Sequence, residues 1–402
     1  MPPSTKFGVE VAAILRGVPA NCVVTGGSGF VGQRLVEMLV ERGASRVVSF
    51  DIAPKPADAL TGAAGAKVEY VQGDIRDRDT VFGVCEGADC VWHIAAAVGP
   101  YHPEALYEQV NYEGTLHVIA ACRHHGCRKI VMSSSPSTRF DGSDVDGLTE
   151  AQMPTLPQAS YLQEYAKTKA MGEMAMAEAC DPPALLTCSV APHQVYGPRD
   201  NLFMPNLLEA AGTGRLRVFG HGMYKICFSH VDNYCHGLIL GEAALYEGSP
   251  ALGQFYIVTD GDTHPFAEGY AYFWKAIDEV IVGVGFGSLW DKFKLPAWFM
   301  MAVAYACAAL QWLTGVRLKL NPFAVRMLTM HRWFNIDKAT KDLGYEPIIP
   351  FEQGWRDTTT WFRENWLPSF NKRAGLRGLS KQTQNKIDLQ AEEGGQAAKK
   401  TD

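Results

Sequence analysis

The sequence lacks the cysteine spacing of a metal site, because its ten cysteines are scattered and form no CxxC pair. The closest spacings, Cys85 to Cys90 and Cys122 to Cys127, have no matching His or Cys partners, so no metal is expected. The first 17 residues lack the long apolar run of a secretory signal. These absences predict reduced thiols and a catalytic part that faces the cytosol.

An excess of positive charge is also missing. Lys and Arg total 37 against 43 Asp and Glu, which gives a formal net charge of −6. Nucleic-acid binding depends on Lys and Arg contacts with phosphates, so a nucleic-acid partner is not expected. With 402 residues and no visible internal repeat, the chain is long enough for an enzyme with its own cofactor and substrate regions.

Short β-branched runs alternate with longer helical runs through residues 21–198. The runs that predict strands include NCVVT, RVVSF, KVEYV, DCVWH, KIVMS and LLTCSV. Strands that alternate with helices indicate βαβ units and a parallel sheet covered on both faces. The sequence therefore predicts an α/β fold with a Rossmann-type, doubly wound parallel sheet, and residues 21–198 form most of its nucleotide-binding domain.

The regions outside this alternation have a different composition. Residues 199–370 are richer in Gly and aromatic side chains and are predicted to form a smaller C-terminal substrate-binding lobe, although the boundary is soft. Residues 1–20 are treated as an N-terminal extension. Residues 371–402 contain few large apolar side chains and many Lys, Gln and Glu, so we expect a disordered tail.

The stretch TGGSGFVG follows the first predicted strand and opens a helix. Gly26, Gly29 and Gly32 keep a G-x-x-G-x-x-G spacing, which lets the backbone approach a pyrophosphate at a helix N-terminus. Phe30 and Val31, between the last two glycines, are counted in the same cofactor site. The alternative is a tight strand-to-helix turn that binds no ligand.

A carboxylate follows the second predicted strand. Asp51 lies nineteen residues after Gly32, where it could accept hydrogen bonds from an adenosine ribose diol and repel a 2′-phosphate. This position predicts NAD, while the nearby Lys55 keeps NADP as the less favoured cofactor. The alternative role for Asp51 is that of a helix cap or turn residue. Asp74 and Ile75, after the third strand, are predicted to bracket the adenine.

Six motifs between residues 21 and 200 resemble those of the extended short-chain dehydrogenases/reductases. They are TGGSGFVG, HIAAAV, NYEGTLHV, SSSPSTRF, YAKTK and VYGPRD. The resemblance implies a dinucleotide-dependent enzyme in which Ala95 and Ala96 of HIAAAV contact the cofactor. It also assigns Ser135 to the reacting oxygen, in preference to Ser133 and Ser134, and Asn111 to the support of the catalytic lysine through water.

The YAKTK motif decides which of two tyrosines is catalytic in this resemblance. Tyr165 precedes Lys169 by one helical turn, so both side chains lie on one face, whereas Tyr161 has no cation one turn later. A free phenol titrates near ~10. Lys169 and a positive nicotinamide are expected to lower the pKa of Tyr165 enough for general-base catalysis. Tyr161 is predicted to pack or to line the substrate entrance.

Longer segments narrow the resemblance to the 3β-hydroxysteroid dehydrogenase branch of these enzymes. They include FSHVDNYCHG, GQFYIVTDGDTHPF and FNIDKATKDLGYEP. Within this branch the sequence most resembles the decarboxylating sterol-4α-carboxylate 3-dehydrogenases. This resemblance implies removal of hydride from C3 of a 4α-carboxysterol, proton removal by Tyr165, and loss of CO₂ from the resulting β-keto acid. A homodimer is a further expectation.

Thr138 and Arg139 depart from this pattern, since residues at these positions are usually apolar in the family. We hypothesise that Arg139 pairs with the substrate carboxylate, because a planar guanidinium suits bidentate contact. The more favoured alternative at this stage is a solvated arginine at a strand end.

Residues 295–314, LPAWFMMAVAYACAALQWLT, contain no charged side chain. A helix of this length reaches about 30 Å, the thickness of a bilayer core. We expect this segment to enter one leaflet rather than to cross the membrane, and a buried core helix is the alternative. The terminal KKTD resembles a dilysine retrieval signal. Together these features predict an endoplasmic-reticulum membrane protein with a cytosolic catalytic domain.

Two alternative functions remain open on the sequence alone. One is another extended dehydrogenase, such as a 3β-hydroxysteroid dehydrogenase/isomerase, a flavonoid-type reductase or a sugar-nucleotide epimerase, which would share the same motifs. The other is a non-catalytic NAD(H)-binding scaffold, although such proteins commonly lack the tyrosine and lysine.

Overall fold

The computed structural model describes residues 17–62, 65–99, 102–314 and 320–370. Most of the predicted N-terminal extension and the whole of the predicted tail at 371–402, including KKTD, therefore lie outside the described residues.

Thirteen strands and twelve α-helices make up the described part of the chain. The strands are β1 (Asn21–Thr25), β2 (Arg46–Asp51), β3 (Lys67–Gln72), β4 (Cys90–His93), β5 (Lys129–Ser133), β6 (Val145–Leu148), β7 (Leu186–Pro192), β8 (Val195–Tyr196), β9 (Lys225–Ile226), β10 (Ser229–His230), β11 (Phe255–Val258), β12 (Ala271–Tyr272) and β13 (Arg332–Phe334). The α-helices are α1 (Phe30–Glu41), α2 (Arg78–Cys85), α3 (Glu104–Glu108), α4 (Gly114–His125), α5 (Glu164–Glu178), α6 (Phe203–Gly212), α7 (Val231–Ala243), α8 (Phe273–Val284), α9 (Ala297–Thr314), α10 (Pro322–Leu328), α11 (Asp337–Leu343) and α12 (Phe351–Trp361).

Short 3₁₀ and π segments complete the description. The 3₁₀ turns are Pro136–Arg139, Glu150–Gln152, Gly261–Thr263 and Leu367–Ser369. The π turns are Gln109–Glu113 and Phe362–Trp366.

The main sheet has seven strands in the order β3-β2-β1-β4-β5-β7-β11, and every neighbouring pair is parallel. The predicted Rossmann-type α/β fold is confirmed. The strand order reverses between β1 and β4, so the crevice outside their carboxyl ends is the expected ligand-binding position in such a sheet.

Both faces of this sheet are covered, which explains why its strands are β-branched along their length. The neighbouring residues Val23 and Val24 of β1 are fully buried in two different core clusters. Since successive side chains of a strand point to opposite faces, the sheet has a core on each side. Helices α1 and α7 cover one side, and α2, α4 and α5 cover the other.

The predicted C-terminal lobe contains most of a second sheet with the order β12-β9-β13-β6 and the strand β10, which pairs in parallel with β8. The two predicted domains exchange strands. Strand β6, from the first half of the chain, pairs with β13, whereas β11, from the second half, pairs with β7 in the main sheet. The strands on each side of residue 198 are therefore not confined to separate sheets.

The predicted apolar segment forms helix α9, which packs only one face against the protein. Met300 and Ala304 are buried with Val325 of α10. Trp298 and Trp312, on the opposite side, are 74% and 84% exposed. Within the described residues, no helix combines the length and the apolar character that crossing a bilayer would require.

Candidate active site

The turn after β1 needs glycine at two positions for steric reasons. Gly26 has φ +75°, and an added Cβ would lie 2.8 Å from the backbone nitrogen of Ala95. A Cβ at Gly32 would lie 2.0 Å from the carbonyl oxygen of Gly26. The glycine spacing therefore lets helix α1 begin directly against the turn, and the turn lie directly against the end of β4.

The N-terminus of α1 is open to an anion. Gly29 is the N-cap, so no side chain caps the helix, and the first turn contains no acidic residue. The backbone N–H groups of a first helical turn carry partial positive charge and have no partner within the helix. A pyrophosphate fits this cradle, because no side chain occupies the N-cap and the two tight glycine contacts leave no room for a Cβ.

Asp51 ends β2 beside the same cradle. Its carboxylate accepts hydrogen bonds from the backbone N–H groups of Ser28, at 3.0 Å, and Ala53, at 2.9 Å. Those contacts fix the carboxylate next to the glycine turn, where the sequence predicted a ribose-binding group. Both predicted roles are compatible with this position, since the side chain orders the turn and presents an acid to the crevice.

The other predicted adenine and cofactor residues surround this crevice. Asp74 forms an ion pair with Arg76, and Ile75 is buried against Gly114, where an added Cβ would lie 2.9 Å from the Ile75 side chain. The N–H of Ala95 donates to the hydroxyl of Thr25 at 3.2 Å. The structure therefore brings the ends of β1, β2, β3 and β4 together around the predicted dinucleotide position.

Asn111 lies in a π turn between α3 and α4 and is buried. Its side-chain oxygen accepts from the N–H of Ala97 at 2.8 Å, and its amide donates to the Ala97 carbonyl and to Thr168, each at 3.2 Å. These bonds join the loop after β4 to helix α5. The predicted water-mediated contact with Lys169 remains a prediction, and the direct contacts show a positioning role.

A buried histidine links the cofactor turn to this π turn. The hydroxyl of Thr115 donates to the Asn111 carbonyl, so it accepts from Nε2–H of His93 at 2.9 Å. Nδ1 of His93 then accepts from Thr25 at 2.8 Å. Burial, and to a smaller extent the charge of Lys169, lowers the pKa of His93 to about 3, so the relay contains a neutral imidazole. Sequence analysis missed His93 because its partners are distant along the chain.

Ser135 lies near enough to Tyr165 for its hydroxyl to lower the pKa of the phenol, and it also contacts the hydroxyl of Ser137 at 2.8 Å. Ser135 caps the 3₁₀ turn after β5, and Tyr165 is in the first turn of α5. The neighbouring serines have other partners, since Ser134 donates to Glu173 at 2.6 Å and Ser133 accepts from Tyr234 at 2.6 Å. This arrangement supports the choice of Ser135 among the three serines.

The pKa of the Tyr165 phenol is not lowered within the protein alone. Burial raises it to about 12, the hydrogen bond with Ser135 opposes this rise, and Tyr107 adds to it. Lys169 does not contribute to this shift, so the expected lowering of the Tyr165 pKa by Lys169 is not found in the described structure. A phenol in this state is protonated at neutral pH, so its use as a base requires additional positive charge at the crevice.

Lys169 is buried one turn after Tyr165, and its Nζ donates to the Ser133 carbonyl at 2.6 Å. Burial lowers the pKa of Lys169 to about 8, and the charge of Glu173, one turn further along α5, opposes this fall. Tyr165, Lys169 and Glu173 thus occupy successive turns of one helix face. Sequence analysis missed Glu173, although its spacing four residues after Lys169 was visible.

Arg139 contradicts both sequence interpretations. Its Nη2 lies 2.5 Å from Oε1 of Glu173, and its guanidinium stacks on the Phe255 ring at 3.8 Å. The side chain is 15% exposed, so it is not a solvated strand-end arginine. Because its charge already has a buried carboxylate partner, Arg139 is also a poor candidate for the substrate carboxylate, and we withdraw that hypothesis.

Tyr161 remains close to this region without an assigned role. Its hydroxyl accepts from the N–H of Gln158 at 3.2 Å, and the Gln158 side chain donates to the Thr138 carbonyl at 2.7 Å. The loop that contains Gln158 and Tyr161 is therefore hydrogen-bonded to the 3₁₀ turn Pro136–Arg139, which follows β5. A cleft of about 300 Å³, lined in part by Arg139, Phe140 and Met153, opens next to it.

Comparisons with known proteins agree with this geometry. The model of the 3-beta hydroxysteroid dehydrogenase/isomerase family matches residues 23–280. A 3beta-hydroxysteroid-dehydrogenase/decarboxylase, isoform 2, from Arabidopsis thaliana is 32% identical over 88% of this chain, and the match spans only 64% of that relative's own length. The human sterol-4-alpha-carboxylate 3-dehydrogenase, decarboxylating, is 29% identical over 89% of this chain and 92% of its own.

A solved structure of UDP-glucuronic acid 4-epimerase from Bacillus cereus, in complex with NAD, has a TM-score of 0.63. It shares 20% sequence identity and covers 86% of this chain and 97% of its own. At this identity the likeness establishes the fold alone, whereas the family match extends over most of the described residues. The chain belongs to the 3-beta hydroxysteroid dehydrogenase/isomerase family.

Proposed function

We propose that this chain is an oxidoreductase that oxidises the 3β-hydroxyl of a sterol, with a 4α-carboxysterol as its substrate. The observation that carries the proposal is that Ser135, Tyr165 and buried Lys169 come together at the carboxyl edge of the main sheet. The matched relatives named as sterol-4-alpha-carboxylate and 3beta-hydroxysteroid dehydrogenases support the choice of substrate.

Gly26, Gly29 and Gly32 would hold the pyrophosphate of a dinucleotide, and Asp51 its adenosine ribose. A carboxylate at the end of β2 favours NAD over NADP, because it would repel a 2′-phosphate. When bound, the oxidised dinucleotide supplies the hydride acceptor and a positive ring beside Tyr165. That positive charge is what the buried phenol lacks in the protein alone.

The residues of this chain then have separate tasks. Ser135 donates a hydrogen bond to the reacting oxygen and holds it beside Tyr165. Tyr165 accepts the hydroxyl proton as the C3–H bond breaks. Lys169, fixed by the Ser133 carbonyl, supplies positive charge below the phenol. The product with a 4α-carboxylate is a β-keto acid, which loses CO₂ because the new ketone accepts the electrons of the breaking C–C bond as an enolate.

The exposed face of α9 supports a proposal of membrane association. Trp298, Tyr305 and Trp312 lie along one side of the helix and are 74%, 60% and 84% exposed. Aromatic side chains of this kind favour the interface between lipid headgroups and hydrocarbon. We place the protein on the cytosolic face of the endoplasmic reticulum. The assignment to that organelle and the expected homodimer remain predictions.

Incubation of the purified protein with NAD and a 4α-carboxy-3β-hydroxysterol tests the activity. We expect NADH and CO₂ in equal amounts, and a much lower rate with NADP. Parallel assays with UDP-sugars and flavonoids examine the other extended dehydrogenase activities. Oxidation of a UDP-sugar without oxidation of any sterol would refute the proposed substrate class.

Flotation with phosphatidylcholine vesicles tests the membrane proposal. Replacement of both Trp298 and Trp312 by Ser should reduce the vesicle-bound fraction, whereas Tyr246→Ser, at another exposed aromatic residue, should not. Equal binding of the wild-type protein and the double variant would remove α9 as the contact surface.

A further inference from the structure

Arg332 is a partly buried cation in the middle of the small sheet. It is the first residue of β13 and pairs on both sides, with Val145 of β6 and Ile226 of β9. Its side chain and that of Phe334 lie on the same side of the strand, since His193 contacts both of them. Phe334 packs on this face with Ala191 and Ile257, which belong to β7 and β11 of the main sheet.

The polar partners of Arg332 carry no negative charge. Its Nη2 donates to the Met327 carbonyl at 3.0 Å, its Nη1 lies 3.4 Å from Nε2 of His193, and its Nε is buried without a partner. Within the described residues no carboxylate forms an ion pair with this guanidinium. Burial lowers the pKa of Arg332 to about 10, so the side chain is still a cation at neutral pH.

His193 faces Arg332 as a neutral base. Its Nδ1 donates to the Cys227 carbonyl at 2.8 Å, so its Nε2 carries no proton and accepts from Arg332. Burial, and then the charge of Arg332, lowers the pKa of His193 to about 3. The imidazole therefore orients the guanidinium without neutralising it.

An unpaired buried cation is costly, and proteins usually pair such a group with an anion. Arg139 illustrates the usual solution in this same molecule, through its ion pair with Glu173. Arg332 is nevertheless only partly covered, whereas its Nε has no solvent contact. Arg332 therefore combines an interior nitrogen that has no partner with accessible surface elsewhere on the residue.

The strand register places Arg332 at the catalytic edge. Ser133 of β5 is paired with Val190 of β7, and the N–H of Ser134 donates to the Val190 carbonyl at 2.9 Å. Ser135 and His193 therefore follow directly from the carboxyl ends of two neighbouring strands, which are about 4.8 Å apart in such a sheet. Because His193 contacts Arg332, the guanidinium lies near the carboxyl end of β7, the strand next to the one that leads to Ser135.

We propose that Arg332 binds an anionic group of the substrate, and that in a 4-carboxysterol this group is the carboxylate on the carbon next to the carbinol. This inference rests on the proposed function, since it requires that the hydroxyl be held by Ser135 and Tyr165. A carboxylate bonded to the neighbouring carbon must lie close to that hydroxyl. The substrate carboxylate would then be the anionic partner that Arg332 lacks among the described residues.

The test compares binding of a 4α-carboxy-3β-hydroxysterol with binding of the same sterol without the carboxylate. Binding is followed by the fluorescence of the protein's tryptophans, without NAD, so that no turnover is needed. The wild-type protein should bind the acid more tightly. Arg332→Met should reduce the ratio of the two affinities by roughly 10–100-fold, the range for hydrogen bonds to a charged group.

Two further variants exclude a general structural effect. Arg332→Lys retains the charge without the planar fork and should give an intermediate ratio. Arg326→Met removes an exposed arginine of α10 that contacts the Gly142 carbonyl at 3.4 Å, and it should leave the ratio unchanged. Arg332→Met should also remain folded in a thermal unfolding experiment, because it removes a buried charge that has no acidic partner.

The outcomes separate this inference from the proposed function. An unchanged affinity ratio in folded Arg332→Met would overturn the inference while leaving sterol oxidation intact. A wild-type protein without any preference for the acid would overturn it as well. A protein that binds the acid through Arg332 but oxidises neither sterol would instead refute the proposed function and support the anion site.

Discussion

The two halves of the molecule bury their charges differently. In the nucleotide-binding half, Arg139 has Glu173, and Arg34 reaches across to Asp232 at 2.9 Å. In the substrate lobe, Arg332 meets a neutral imidazole and a carbonyl oxygen. A paired arginine contributes to the scaffold, whereas an arginine without an anionic partner is costly, and this difference is the basis of the role proposed for Arg332.

The largest expected effect is at the catalytic end of the first half. Tyr165→Phe keeps the ring and removes the hydroxyl, so kcat should fall by about 10³-fold or more, because a positioned general base contributes about 10²–10⁴-fold. Tyr161→Phe, four residues earlier in the loop before α5, should lower kcat by less than about tenfold. Steady-state kinetics with a sterol and NAD measure both. Comparable losses in the two variants would contradict the assignment of the catalytic phenol.

Gly32→Ala is the next largest perturbation, and it tests the cofactor cradle. The added Cβ would collide with the Gly26 carbonyl at 2.0 Å, so α1 must move away from the turn. Overpacking of this kind costs about 1–3 kcal/mol of unfolding free energy, and dinucleotide affinity should fall by about tenfold or more because the helix N-terminus shifts.

Gly83→Ala is the matched control for this change, since nothing lies within 4 Å of the position of its Cβ in α2. It should leave NAD binding unchanged and should raise stability by up to about 1 kcal/mol. Titration with NAD and urea unfolding measure both quantities. Full NAD affinity in Gly32→Ala would show that the glycine turn does not form the cofactor site.

Glu173→Gln is expected to have a moderate effect, and it removes the buried ion pair of the first half. It removes the negative charge that supports the Lys169 pKa, which burial already lowers to about 8. The pKa of Lys169 should fall further, so the alkaline limb of kcat/KM should move to lower pH. The variant also leaves Arg139 with a neutral partner, at a cost of about 1–3 kcal/mol.

Glu164→Gln on the same helix provides the control, because Glu164 pairs with Lys167 at a more exposed position. Its stability should change by less than about 0.5 kcal/mol, and its pH profile should be unaltered. A pH profile of Glu173→Gln identical to that of the wild type would limit Glu173 to packing.

The last prediction concerns a dependence of the unfolding free energy on pH that arises from buried histidines and needs no substrate or cofactor. Burial, and then the charge of Arg42, lowers the pKa of His236 to about 3. Between pH 6.5 and 3 the unfolded chain therefore binds a proton that the folded protein does not. Stability is fully present above the unfolded pKa and falls with pH, by about 1.4 kcal/mol per unit for each such group.

Thermal unfolding at pH 7.5 and pH 5 should show this loss, and His236→Gln should reduce the difference by one group's share. The pKa values of His193 and His93 are also lowered to about 3, so these two residues should account for the pH dependence of stability that remains in this variant. A stability that is independent of pH in this range would show that these histidines are not buried as neutral groups.

The sequence predicted the first half well for a physical reason. Strands buried on both faces, such as β1 with Val23 and Val24, form continuous β-branched runs that can be recognised locally. The glycine turn and the tyrosine-lysine pair are likewise defined by short spacings. The site residues that depend on these local patterns therefore lie where the sequence placed them, although their catalytic roles remain predictions.

The rest depends on contacts that no short pattern contains. The strands β8, β9, β10 and β12 have two residues each, too few to show a period, and β13 pairs with β6 from the other half of the chain. Arg139 was assigned to the substrate because Glu173 could not be placed beside it from sequence. Arg332 gave no local signal, since its neighbour His193 is 139 residues away.

The exchange of strands between the halves has a consequence for synthesis of the protein. Strand β11 pairs with β7 in the main sheet, yet residues 193–254 are synthesised between the two strands. Until then the nascent chain exposes the backbone N–H and C=O groups of β7 along an open sheet edge, which is a template for association with other chains. A translation pause before Phe255 would prolong that exposure and increase the demand for chaperones.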